Sequence, residues 1–439
     1  MKKVLILGAG LVAKPLVRYL LGQPDLQVEV ASRTVSKAEK LIDRHPRGVA
    51  KELNLKSEEA LKDEVAKADV VISMVPYAFH PKVAEFCIGH KKQMVTTSYV
   101  SDAMKKLDQD ARKAGVIILN ELGLDPGIDH MEAMRVIHEI HDKSGELLSF
   151  ISYCGGLPAP EANTNPFGYK FSWSPTGVLL AGKNSAQYLQ DGQEVFVPAE
   201  KLFESYTLRT IEGLGIFEGY PNRNSLPYIE LYKVPETKTM LRGTLRHIGW
   251  CETIRTMVRL GLLDQDEKDW TGLTFAGFLR KLLNTQAEDI KKEISERLGI
   301  PPGLAILRRL EWLGLFSDEP LPLQKGSALD IMSARMTQEL AYAAGERDMI
   351  VLQHEFIASY PGAGKERTIS TLIDFGIPGG DSSMARTVGL PAAIGTKLIL
   401  EGKIKETGVH IPVIPEIYQP ILAELKTLDI AFKERRARL

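Results

Sequence analysis

The chain is poor in several features that would narrow its class at once. It has three cysteines in 439 residues, Cys87, Cys154 and Cys251. They lie far apart with no C-x-x-C pair, which argues against a disulfide framework and a thiolate zinc site, and fits a reducing cytoplasm. No metal site is expected. An excess of either charge is also missing, since 55 Lys and Arg stand against 56 Asp and Glu, for a formal net charge of -1. That balance carries no general electrostatic footprint for nucleic acid or an anionic membrane, so neither is expected as a partner. Long apolar runs are lacking too. After MKK the run VLIL covers only 4–7 before Gly8, too short for a signal-peptide core or a membrane span. Repeats and low-complexity tracts do not occur.

What remains is a globular composition, 44% hydrophobic and 25% charged. The length predicts two or three domains with a substantial core. The first third alternates β-rich runs (4–7, 28–32, 70–74, 94–97, 116–120) with helical stretches such as 37–44 and 101–114. This pattern predicts an α/β domain with a doubly wound parallel sheet over 1–124. Further on, 147–153, 194–197, 207–211, 228–234, 349–360 and 366–375 read as strands of a second, mixed sheet. Between them, 256–345 is rich in helix formers with apolar spacings of three and four, a small helical insertion. The tail reads as a helix ending near 402 and a terminal helix over 417–435, packing back on the first domain. The expected division is therefore 1–124 with 391–439, 125–255 with 346–390, and 256–345. The basic end KERRARL reads as a solvated helix end, because nothing aromatic is interleaved with it.

Gly8, Gly10 and Ala13 follow the first predicted strand in LILGAGLVAKPLV, so the G-x-G-x-x-A spacing falls in the strand-turn-helix context that makes it a dinucleotide fingerprint. Gly8 permits the tight turn, Gly10 lets backbone approach a pyrophosphate, and Ala13 keeps helix and sheet close, with Leu11 and Val12 completing the turn. The helix start presents unpaired N–H groups to phosphate. At the end of the second strand an acid would favour NAD, yet Ser32, Arg33 and Thr34 stand there, followed by Lys37. A guanidinium grips a dianionic 2′-phosphate, so NADP is the expected cofactor.

In an open parallel sheet ligands lie outside the carboxyl ends of the strands. The candidates there are Val75, Pro76 and Tyr77, then Ser98 and Tyr99, then the segment ELGLDPGI at 121–128. Asp125 before Pro126 reads as an N-cap with proline at the first helical position. A carboxylate at such a strand end can also hold a substrate ammonium group.

These residues, with ADVVISMVPYAFHPKVA, NELGLDPGIDHM, SYCGGLPAPEANTNPFGYKFSWSP, NRNSLPYIELY and MLRGTLRHIGWCE, resemble the saccharopine dehydrogenases of the NADP-linked, glutamate-forming type over almost the whole chain. The resemblance implies a Rossmann domain completed by the tail, a mixed α/β substrate domain, a small helical domain and a homodimer. It also implies the reaction: NADP-dependent oxidation of saccharopine to an imine that hydrolyses to glutamate and aminoadipate semialdehyde, or the reverse, in lysine synthesis or breakdown. Carried over residue by residue, it implies carboxylate binding by Arg223 and by Arg246 with Thr244 and Leu245, substrate contact by Ser98, Tyr99 and Asp125, and cofactor approach by Leu124, Ile128 and Trp173. Asp125, Tyr99 and Cys154, in that order, are the acid-base candidates, and Cys154 reads equally as a small buried hydrophobe.

Three weaker patterns are set aside. PGAGKERT has Glu366 where a phosphate loop needs Ser or Thr, and reads as a hairpin turn. His130 and Glu132 form an H-x-E without the P-C-x-x-C of a deaminase, and His138 and His141 lack further ligands. His80 is left without a role. Two rivals stay open: a carboxynorspermidine-type imine reductase, and a non-catalytic NADP-binding sensor, which would need none of the substrate residues.

Overall fold

Four consecutive apolar residues, Val4, Leu5, Ile6 and Leu7, are between 0% and 1% exposed at the centre of a seven-stranded sheet. A continuous apolar run of this kind belongs to a strand covered on both faces. The computed structural model describes residues 1–173 and 175–439 and has two compact units, 1–147 with 358–439, and 148–357.

In the first unit the strand order is Gly408–His410, Ile117–Leu119, Gln93–Thr96, Val70–Ser73, Lys2–Leu7, Leu26–Ser32, Gly48–Glu52. All neighbours are parallel. The five expected strands are present. Gly48–Glu52 was not legible, since GVAKE is a part-exposed edge with no apolar run. The tail does return, Gly408 standing opposite Ile117. The order reverses between Lys2–Leu7 and Val70–Ser73, and the crevice at such a switch point is where this sheet type binds ligands. Helix Ala13–Leu21 buries Ala13, Leu16, Val17, Leu20 and Leu21, a stripe at spacings of three and four, and packs on helix Ser383–Leu400.

The expected terminal helix is shorter than its pattern. Helix Pro415–Thr427 stops where Asp429 turns left-handed at φ 62° and Ile430 N–H bonds back to Leu425 O at 3.0 Å. The basic end is an edge strand, Lys433–Arg438, antiparallel to Gly364–Phe375 with Glu366 opposite Arg438. No local propensity marks KERRAR as a strand; the open edge of its partner supplies the hydrogen bonds. The helical stretch expected over 101–114 forms two helices, Asp102–Lys105 and Asp108–Ala114.

The second unit holds strands of a mixed sheet. Thr207–Ile211, Gly215–Pro221 and Thr239–His247 are antiparallel neighbours, and Glu146–Pro158 joins Thr239–His247 in parallel. The hairpin of Ala186–Gln190 and Gln193–Val197 touches Thr239–His247 through Met240 and Leu189. The strand expected over 228–234 is instead helix Pro227–Leu231. Pro227 takes the first helical position, suited to its fixed φ, and Tyr228 and Tyr232, four apart, bring their rings to 5.5 Å. The helical character expected over 256–345 is met by Phe275–Leu283, Ile290–Leu298, Ala305–Trp312 and Ala328–Glu339. Their starts carry sequence-level signals, with Thr274, Asp289 and Ser327 as N-caps and a capping box between Ser327 and Asp330.

Candidate active site

The first turn sits at the switch point. Gly8 has φ +109°, and a Cβ there would meet Met74 O at 2.6 Å, so the turn between the two central strands admits only glycine. Around the Cβ position of Gly10 nothing lies within 4 Å, leaving the open space that a pyrophosphate needs. Leu11 is exposed, Val12 precedes the helix, and Ala13 is buried as its first residue. At the next strand end Ser32 Oγ accepts from Thr34 N at 3.2 Å, while Arg33 and Thr34 are exposed beside it. Val75 is half-buried and Pro76 exposed, after Val70–Ser73. A glycine cradle with open space, and a hydroxyl–guanidinium–hydroxyl run with no acid among it, fits a phosphorylated dinucleotide.

Along the same edge, the loops after Gln93–Thr96 and Ile117–Leu119 are stitched together. Leu122 N–H donates to Thr96 O and Glu121 N–H to Ser98 O, both at 3.1 Å, and Val100 N–H donates to Glu121 Oε1 at 2.9 Å. The result brings Tyr99 to Asp125, its hydroxyl donating to Oδ1 at 3.0 Å. Asp125 is not an N-cap. The helix begins at Ile128 behind Gly127, whose φ of +146° lies outside the range of L side chains and whose Cβ would stand 2.1 Å from Gly123 O. Pro126 therefore stays outside the helix, and Asp129 Oδ1 accepts from Gly127 N at 2.6 Å. The 121–127 loop doubles back, Gly123 N–H bonding Pro126 O at 3.0 Å. Leu124 and Ile128 are buried on either side of that turn, and Asp125 is half-buried.

No motif in the sequence gives a role to Glu121, His130 or His80. Glu121 is 4% exposed and its Oε2 meets His130 Nε2 at 2.8 Å, tying the Tyr99 loop to helix Ile128–Asp142. An acid followed nine residues later by histidine is no motif, so only the fold reveals the pair. His80 is 3% exposed and lies within 2.8 Å of both Ser73 Oγ and Ser98 Oγ.

The other candidates lie in the second unit. Arg246 is buried on strand Thr239–His247, its guanidinium 4.9 Å from the Tyr169 ring and 5.5 Å from the Trp250 ring. Its Nη1 donates to Leu245 O at 2.8 Å, yet Nε is buried without a partner, and no carboxylate pairs with it among the described residues. A buried cation with donors to spare calls for an anion. Thr244 is half-buried opposite Cys154 across the parallel pairing. Leu245 is fully buried against Gly155, so its contribution at this site is the carbonyl that accepts from Arg246. Cys154 is 8% exposed inside strand Glu146–Pro158. Arg223 is exposed with φ 56° after strand Gly215–Pro221, and Trp173 is 36% exposed. His247 faces Phe217, ring to ring at 5.0 Å, and burial and the adjacent Arg246 lower its pKa.

Comparisons with known proteins agree in kind. A family model described as saccharopine dehydrogenase NADP binding domain matches residues 4–119, and one described as saccharopine dehydrogenase C-terminal domain matches 123–430. The chain is 43% identical over 434 residues to the saccharopine dehydrogenase [NADP(+), L-glutamate-forming] of Saccharomyces cerevisiae, covering 97% of each. The Schizosaccharomyces pombe enzyme of the same name is 39% identical, with 99% of each chain covered. To the mitochondrial alpha-aminoadipic semialdehyde synthase of Bos taurus identity is 39%, covering 98% of this chain and 47% of that one. The solved structure of the apo, L-Glu-forming saccharopine dehydrogenase from Saccharomyces cerevisiae superposes with TM-score 0.92 at 42% identity, covering all of both chains.

Proposed function

The chain belongs to the saccharopine dehydrogenase family, and on that premise we propose that it interconverts saccharopine with L-glutamate and 2-aminoadipate 6-semialdehyde in lysine metabolism, using NADP. The reaction is an oxidation at a CH–NH bond. Saccharopine loses hydride from the carbon bearing its secondary amine, and water cleaves the resulting imine. Bound NADP supplies the hydride acceptor, at C4 of its nicotinamide.

Within this reading each residue has a task. The turn from Gly8 to Ala13 cradles the pyrophosphate, and Ser32, Arg33 and Thr34 take the 2′-phosphate. Val75, Pro76, Leu124, Ile128 and Trp173 lie against the rest of the cofactor. Arg223 and Arg246 hold substrate carboxylates, with Thr244 beside them and the Leu245 carbonyl orienting the Arg246 guanidinium, whose buried Nε has no partner of its own. Ser98, Tyr99 and Asp125 meet the substrate at the strand ends. Hydride transfer needs placement more than covalent help. Acid-base work falls on the amine, the imine and the attacking water. Asp125 receives the amine proton, its charge steadied by the Tyr99 hydroxyl, and Cys154 is a further candidate. The observation that carries the reading is the bonded pair of Tyr99 and Asp125 on the strand-end edge that also carries the Gly8 turn.

The chain is further proposed to work as a cytoplasmic homodimer without nucleic-acid or membrane partners; among its described residues no helix is long and apolar enough to cross a membrane. A three-part division into coenzyme, substrate and helical domains belongs to the same proposal. The test is absorbance in the NADPH band with purified protein and saccharopine, with NADP, with NAD, and with carboxynorspermidine replacing saccharopine. Reduction of NADP by saccharopine, faster than of NAD, is expected. Turnover of the polyamine alone would overturn the substrate, and silence with every amine would favour a non-catalytic NADP-binding protein.

A further inference from the structure

His80 opens helix His80–Gly89, and its ring is enclosed by hydroxyls from two neighbouring strand ends. Ser73 Oγ stands 2.8 Å from Nδ1; Ser98 Oγ stands 2.8 Å and Thr96 Oγ1 3.5 Å from Nε2. The ring is 3% exposed, and burial lowers its pKa to about 4, so it is neutral and carries a single N–H.

Which nitrogen carries that proton follows from the neighbours. The Thr96 hydroxyl donates its only proton to Ser73 O at 2.9 Å, so Thr96 Oγ1 faces Nε2 as an acceptor. Ser73 is fully buried, and among the described residues the one polar contact of its hydroxyl is His80 Nδ1. A buried hydroxyl proton without an acceptor costs free energy, so Ser73 donates to Nδ1. The ring proton therefore sits on Nε2. Ser98 Oγ then accepts from His80, and its own proton has no acceptor among the described residues. The Ser98 backbone is held as well, its N–H by Thr96 Oγ1 at 3.3 Å and its carbonyl by Glu121 N–H at 3.1 Å.

We propose that His80 is a positioning residue which, as the Nε2–H tautomer, turns the Ser98 hydroxyl into an outward donor for a carboxylate oxygen of the substrate. A substrate with three carboxylates supplies such an acceptor, and a serine oriented the other way would instead accept from an ammonium. The proposal deepens the reading of Ser98 as a substrate contact and rests on it.

Two experiments test it. Nitrogen NMR of the histidine-labelled full chain, with the His80 signal assigned by its loss in His80→Gln, is expected to show Nδ1 bare and Nε2 protonated; the opposite tautomer overturns the proposal. This measurement needs no turnover, so it stands apart from the saccharopine assay, whose failure would sink the function and leave the tautomer assignment in place. In kinetics, His80→Gln keeps an N–H toward Ser98 and is expected to hold KM for saccharopine near wild type. His80→Leu is expected to raise it about tenfold, the worth of one bond to a charged group, with kcat within about twofold. In a Ser98→Ala background the same change is expected to leave KM alone. A further rise there, or a fall in kcat equal to the rise in KM, marks a merely structural role and overturns the proposal. Should His80→Leu not fold, His80→Asn, whose amide reaches only the Nδ1 side, takes its place.

Discussion

The hydroxyl of Tyr99 donates to Asp125 Oδ1 at 3.0 Å, joining the ends of two neighbouring parallel strands. Tyr99 sits in the loop after Gln93–Thr96 and Asp125 in the one after Ile117–Leu119. The bond holds the carboxylate in place.

Removing either partner is therefore expected to slow the reaction without abolishing it. Tyr99→Phe and Asp125→Ala should lower kcat/KM for saccharopine by about 10- to 1000-fold, at or below the usual contribution of about 100- to 10,000-fold from one acid-base group. Steady-state kinetics at several pH values checks this. A loss beyond about 10,000-fold in either variant would show that solvent cannot replace the group as proton carrier.

Arg246 tests the carboxylate assignment. A lysine at this position keeps the charge but loses the fork that binds a carboxylate with two parallel bonds, and Arg246→Lys is expected to raise KM for saccharopine about tenfold or more. Thermal stability should fall as well, because the guanidinium stacks on Tyr169 and Trp250. Unchanged KM with reduced stability would confine Arg246 to the core.

Arg33 tests the cofactor. Arg33→Ala is expected to reduce the preference for NADP over NAD by about 10- to 100-fold, the worth of charge-assisted bonds to a phosphate. The ratio of kcat/KM with the two coenzymes measures it, and an unchanged ratio would leave Arg33 as a solvated loop residue.

Acid stability has an identifiable source in Glu64. Burial alone would raise its pKa, but hydrogen bonds from Lys51 at 2.6 Å and Lys67 at 2.7 Å outweigh burial and bring it down to about 2. A depressed carboxylate stabilises the fold above its unfolded pKa and loses that contribution as pH falls toward the folded value. Glu64→Gln is thus expected to cost about 1 kcal/mol at neutral pH, discounted because both lysines are partly solvated. The difference should shrink between pH about 4.5 and about 2. Thermal melts of both proteins across that range decide it; a pH-independent difference would mean that packing, not charge, is at stake.

Chemistry tied to short local patterns was legible before any fold was known. The apolar run of 4–7 followed by Gly8, Gly10 and Ala13 specifies strand, tight turn and close-packed helix from backbone sterics alone, and Arg33 in place of an acid points to NADP. The alternation of strands and helices over the first third was readable for the same reason, since burial on both faces leaves continuous apolar runs. Features set by long-range contacts were not. Lys433–Arg438 is a strand only because Gly364–Phe375 offers an open edge, and Tyr228 joins a helix that Pro227 starts. Asp125 read as a helix cap because Asp-Pro suits one locally, whereas Gly127, folded against Gly123, starts the helix later and leaves the carboxylate to Tyr99. His80 carries no local signal of a role, since seven residues separate it from Ser73 and eighteen from Ser98. Steric and hydrophobic rules acting over a few residues set the coenzyme turn and the order of the elements, so both could be read from the chain alone. Which side chains share a proton depends on where distant strand ends meet, and that is settled only when the chain has folded.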